Sequence, residues 1–160
     1  MAFTTSGVFG ALIEDSLEQT TLMDLNADSF KVALFNNTTV PDVDAASAAT
    51  QFGAGGTWTT ANEEISTTDW PTGGEPLSTP TSTRSSGVYT FDGVDTVQNG
   101  TTCTLANVYG CMVYDDTITT PVIDQGLCFN DFGGVQAVTA GDFTVQWHVN
   151  GIFTITFTAA

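Results

Sequence analysis

The chain has 160 residues, 18 of them acidic and only 2 basic, for a formal net charge of −16. Lys31 and Arg84 are its whole supply of phosphate-neutralising cations, which excludes DNA, RNA and anionic membranes as direct partners. A chain of this length buries roughly 70% of its unfolded surface on folding, so with 41% apolar residues one domain can form without disulfides or metal.

The acidity comes from missing Lys and Arg, because only 12% of residues are charged against about 25% in ordinary proteins. Thr occurs 29 times, and its β-branched side chain suits strands better than helix interiors. Composition therefore predicts an all-β protein, an antiparallel β-sandwich or barrel-like domain with a short N-terminal helix and a long Gly/Thr/Pro-rich loop. The expected organisation is an arm and short helix over 1–27, then a β-sandwich domain over 28–160 that includes the loop 41–87.

Met1 to Asp15 has no basic n-region, and Gly10 interrupts its apolar stretch, so no signal peptide is expected. No run reaches the ~18 to 20 apolar residues of a membrane span; a soluble protein made in a cytoplasm is the expectation. Ser6 is placed to cap a helix over about 7–19, with Phe9, Leu12, Ile13 and Leu17 on one face and Glu14, Asp15 and Glu18 on the other. That helix either covers one end of the β-core or acts as an arm that docks on a partner. Phe30 to Phe35 reads as a strand that turns at Asn36 and Asn37, and 43–50 has room for one helical turn.

Residues 53–87 are dominated by Gly, Thr, Ser and Pro, with Trp58 and Trp70 among them. A loop of that length is usually functional or ordered by a neighbour. Its tryptophans fit three roles: a lid packed on its own domain, a contact between subunits, or a sugar-stacking platform. Beyond it, strands are predicted near 87–92, 101–106, 107–115, 121–130, 142–149 and 152–158. The turn signals between them are Asp92-Gly93, Asn99-Gly100, Asp115-Asp116, Gly133-Gly134 and Asn150-Gly151. For the last hairpin, a three-residue loop over Val149 to Gly151 pairs Trp147 with Phe153, Val145 with Ile155 and Phe143 with Phe157. This gathers all six on one core face.

Little in the sequence points to catalysis. His148 is the one histidine, expected on the surface, and no GxSxG motif accompanies it. Glu63, Glu64 and Glu75 are the carboxylates a glycosidase could use; Asp115, Asp116 and Asp124 are oxygen ligands a calcium ion could use. In neither set does the spacing specify a site. Cys103, Cys111 and Cys128 are an odd number without metal-ligand spacing, which predicts buried thiols. No enzymatic activity, cofactor or metal is expected.

Four segments carry a likeness: Asp28 to Phe35, Val108 to Asp116, Gln125 to Gly133, and Asp142 to Phe153. In this order, after a short helix, they resemble small virion structural proteins of tailed bacteriophages, in particular the capsid decoration, or cement, proteins of phages that infect actinobacteria. The likeness covers about 28–35 and 105–153, while 41–87 has no part in it. It implies a protein made in the host bacterial cytoplasm that binds the phage major capsid protein on the outer surface of the virion and bridges capsid subunits. It also implies a homo-oligomer, a trimer being one arrangement it allows. A tail or head-tail junction component is the alternative, and a carbohydrate-binding module using Trp58 and Trp70 the third. Natural edge strands are usually guarded by Lys, Pro or bulges, and a chain with one Lys agrees with edges covered in an assembly. Phe3, Phe9, Leu12, Ile13, Trp58 and Trp70 are then the candidates for the capsid or subunit interface.

Overall fold

The computed structural model describes residues 3–18, 20–53, 56–67, 69–98, 102–120 and 122–158. In chain order its elements are β1 (Gly7–Val8), α1 (Gly10–Leu17), β2 (Phe30–Phe35), β3 (Glu75–Pro76), β4 (Thr81–Ser85), β5 (Val88–Asp92), β6 (Thr96–Gln98), β7 (Leu105–Asp115), β8 (Gly126–Val138), β9 (Phe143–Val145) and β10 (Phe153–Thr156), with one turn of 3-10 helix at Ser47–Ala49. Among the described residues, no helix is long and apolar enough to cross a membrane.

The strands form a sandwich-like all-β domain whose sheets do not close into a barrel. A five-stranded antiparallel sheet, ordered β1-β8-β7-β2-β3, is the central layer. Its middle pair runs in continuous register from Phe30 opposite Asp115 to Phe35 opposite Gly110. Two smaller sheets, β10-β5-β4 and β6-β9, supply inward-facing residues to the core on one face of the central layer. There Phe30, Val32, Leu34, Cys111 and Val113 meet Phe91, Phe143, Val145, Trp147 and Phe153.

The opposite face of the central sheet is dry as well. Ala33, Phe35, Met112, Tyr114 and Phe129 lie there under Phe3, Phe9 and Trp58. A strand buried on both faces reads as an unbroken apolar run instead of an alternating one, which is how Val-Ala-Leu-Phe in β2 and Cys-Met-Val-Tyr in β7 read. The cover comes from segments with little regular structure: the N-terminal residues and the first part of the long loop. Phe3, Val8, Phe9, Leu12, Met23 and Leu25 thus share the core of the rest, with β1 paired to Phe129 and Cys128 at the edge of the central sheet.

Three local expectations are corrected. The helix starts at Gly10, with Phe9 in extended conformation at its N-cap; Gly7 and Val8 are committed to pairing with β8, and the Ser6 hydroxyl instead accepts from the Asp131 amide at 2.9 Å. The long loop is built into the sheets: β3 and β4 fall inside it, and Gly74 at φ 81° passes so close to β2 that a Cβ there would run into the Val32 carbonyl.

The hairpin 142–158 does not exist. β9 pairs with β6, setting Val145 opposite Thr96, and β10 pairs with β5, setting Phe153 opposite Phe91. Gly151 does turn the chain, at φ 99° with its amide on the His148 carbonyl, but the turn carries β10 across to β5. The apolar match between 143–147 and 153–157 arises because both segments face one core, not each other. Phe143, Val145, Trp147 and Phe153 are buried there, Ile155 is half-buried, and Phe157, expected in the core, is 60% exposed.

Candidate functional site

Five of the six expected interface residues are spent inside the fold. Phe3, Phe9, Leu12, Trp58 and Trp70 are buried, and only Ile13 reaches the surface. Phe3, Phe9 and Trp58 cover the second face of the central sheet, while Leu12 and Trp70 belong to the core on the side of the small sheets. Trp58 stands edge-on to Phe3, Phe9 and Phe35, with centroids 6.2, 5.7 and 5.0 Å away. Trp70 stands edge-on to Phe143 and donates its indole N–H to the Val32 carbonyl at 3.3 Å. Neither indole offers a free face, so a sugar platform on Trp58 and Trp70 is ruled out.

The carboxylate candidates are structural in their contacts. Glu63 accepts from the Gly73 amide at 2.8 Å through Oε1, while Oε2 is buried without a partner. Burial pushes its carboxyl up to about 7. Burial also raises Glu75, helped by nearby Asp69, and Gln98 donates to it at 3.4 Å. Glu64 borders a small polar depression with Asn36, Asn107 and Tyr109. Asp115 closes a turn by accepting from the Thr117 and Ile118 amides at 2.7 and 3.3 Å. Asp116 pairs with Lys31 at 3.0 Å. Among the described residues, no three His, Cys, Asp or Glu side chains are grouped to hold a metal ion. Cys103, Cys111 and Cys128 are free and buried, and burial pushes the Cys128 thiol up to about 12. His148 lies at the surface.

One concavity was not anticipated. A cleft of about 890 Å³ opens between α1, the segment 21–26 and the inner face of the β10-β5-β4 sheet. Leu12, Met23, Leu25, Tyr89, Phe153 and Ile155 line its depth, all buried or half-buried. Its rim is apolar and open: Leu17 is 80% exposed, Leu22 86% and Phe157 60%.

Local chemistry fixes the walls. The helix is tied down by the buried Gln125 side-chain amide, which donates to the Asp15 carboxylate at 2.6 Å, and this turns Leu12, Ile13, Ser16 and Leu17 to the cleft. The segment 21–26 is tied to the far strand by the Ser82 amide, which donates to Asn26 Oδ1 at 2.8 Å. Asp24 is the one charged residue in the lining. Two sequence signals for this cleft are the cluster Leu22, Met23, Leu25 next to an amphipathic helix, and Phe157 just past the end of β10.

Comparisons of the chain with protein-family profiles, curated proteins and solved structures found no match. The structure places 28–35 and 105–153 mainly in β2, β7, β8 and β9.

Proposed function

We propose that the chain is a non-enzymatic virion structural protein of a tailed bacteriophage, seated on the outer capsid surface and bridging neighbouring major capsid subunits. The observation that carries this reading is the open apolar cleft, with Leu17, Leu22 and Phe157 on its rim, in a chain of net charge −16. Large apolar rims on a polar surface mark places where another protein sits. Each such side chain, once fully buried, contributes about 1.5 to 3 kcal/mol, which several together must raise above the cost of association. A net charge of −16 suits a position that meets no nucleic acid. The attachment surface is the cleft, with Ile13 at its border, in place of the buried aromatics.

Counting copies in purified particles tests the location. Hundreds per particle are expected for a decoration protein assembled around local symmetry axes, as a trimer or otherwise. Small multiples of three or six identify a tail or head-tail component instead. Leu17→Glu and Leu22→Glu should leave the fold intact and abolish co-sedimentation with capsids; retention by both variants rejects the cleft as the attachment surface.

A further inference from the structure

The edge of β10 bordering the cleft carries neither charge nor proline. β4 and β5 are joined by a two-residue turn, Ser86 at φ 50° and Gly87 at φ 79°, the conformation that makes Ser85 and Val88 a hydrogen-bonded pair. Along an antiparallel pair bonding alternates, so Val88, Thr90 and Asp92 turn their main-chain groups to β4, while Tyr89 and Phe91 turn theirs to β10. The Phe157 amide bonds the Gly87 carbonyl at 2.8 Å, in the same phase. Phe153 and Ile155 therefore bond β5, and the N–H and C=O of Thr154 and Thr156 point to the open side. β10 is the last strand of its sheet among the described residues. Phe-Thr-Ile-Thr is short, four residues, but it holds no Lys or Pro and its register with β5 is unbroken, so charge and proline, two usual guards of an edge, are missing.

We propose that this edge accepts an extended segment of a partner protein as an added strand. Its main chain bonds Thr154 and Thr156, its alternate apolar side chains enter the cleft beneath Leu17 and Leu22, and Lys or Arg flanks it. Shape and charge select this occupant over a second copy of the chain. Pairing β10 with its own copy brings cleft to cleft and leaves both unfilled. The charge in the cleft lining is that of Asp24, with the exposed Glu14 elsewhere on α1 and Glu18 at its C-cap, in a chain of net charge −16 whose own cations are Arg84 and a Lys31 already paired with Asp116. The inference deepens the assembly reading by naming the chemistry of the partner segment, and its test uses no virion, so the two can fail separately.

The test is selection of a random library of peptides about twelve residues long, enough for one strand with flanks, on the immobilised full chain. Enriched peptides should carry apolar residues at every second position with Lys or Arg at the ends. The variant Thr154→Pro removes an amide that β5 does not use, so it should fold and bind the enriched peptides at least about tenfold more weakly. Leu17→Asp, on the helix surface, should weaken them similarly and serves if the proline variant does not fold. In the unaltered chain, bound peptide should slow amide exchange at Thr154 and Thr156. Enrichment of helical three-and-four spacing, equal binding by the folded variants, no enrichment at all, or a dimer in sedimentation that Thr154→Pro dissolves would each overturn the proposal.

Discussion

The hydroxyl of Tyr114 donates a 2.6 Å hydrogen bond to the carbonyl of Gly73. The amide of that same glycine donates to Glu63, so one residue of the long loop is gripped at both main-chain groups by buried side chains. Phe52 stacks flat on the Tyr114 ring at 4.7 Å. Tyr114→Phe keeps that stacking and removes only the hydroxyl, leaving a buried carbonyl unsatisfied at a cost of about 1 to 3 kcal/mol. Denaturant melts should show that loss, and amide exchange should accelerate around 63–74. Unchanged stability would mean that the clasp is idle.

Glu63 makes the fold sensitive to pH. The folded chain holds its proton to about pH 7, whereas the ordinary value is 4.5. Between those values the folded state binds more protons than the unfolded one, so this group's stabilisation is complete below about 4.5 and is lost as pH rises through 7. Asp115, raised by burial from 3.8 to about 6, acts in the same direction at lower pH. The melting temperature should therefore be lower at pH 8 than at pH 5. Glu63→Gln should shrink that difference, and an unaltered pH profile in the variant would exclude Glu63 as its source.

Deleting residues 1–10 should unfold most of the protein. The deletion removes β1, Phe3 and Phe9, and loss of a buried Phe side chain costs about 3 to 5 kcal/mol from a total that in most domains is about 5 to 15. Leu17→Ser and Leu22→Ser, at 80% and 86% exposed positions, should change stability by no more than about 0.5 kcal/mol. Circular dichroism melts decide the matter; a truncated chain melting like the full one would show that the aromatic cover contributes nothing.

No retention of duplex DNA is expected at about 100 mM salt, where screening weakens repulsion without creating attraction. A salt-sensitive gel shift would contradict this.

Much of the fold was legible because it depends on local pattern. β2 and β7 stand out as apolar runs and β5 as a short strand between turn signals. β4 was not legible because Thr-Ser-Thr-Arg-Ser at a solvent edge has no apolar face, and β6 has three residues to show a period. The partner of 143–147 could not be chosen by parity, since every strand facing the same core offers matching apolar positions. Phe3, Phe9 and Trp58, expected at a capsid or subunit interface, cover the second face of the central sheet instead, a face that the unbroken apolar run from Val32 to Phe35 argues for. The cleft escaped notice because its walls come from three segments that only folding brings together.

The three tryptophans divide between the two faces of the central sheet, Trp58 on the side covered by Phe3 and Phe9, Trp70 and Trp147 on the side of the small sheets. Intrinsic fluorescence can therefore follow each side separately. A chain retaining only Trp58 reports when the N-terminal cover lifts, by a red shift of its emission, and chains retaining Trp70 or Trp147 report when the sandwich opens. Coincident transitions would show that the cover and the sandwich melt as one unit, and an earlier transition for Trp58 would make the cover a detachable layer.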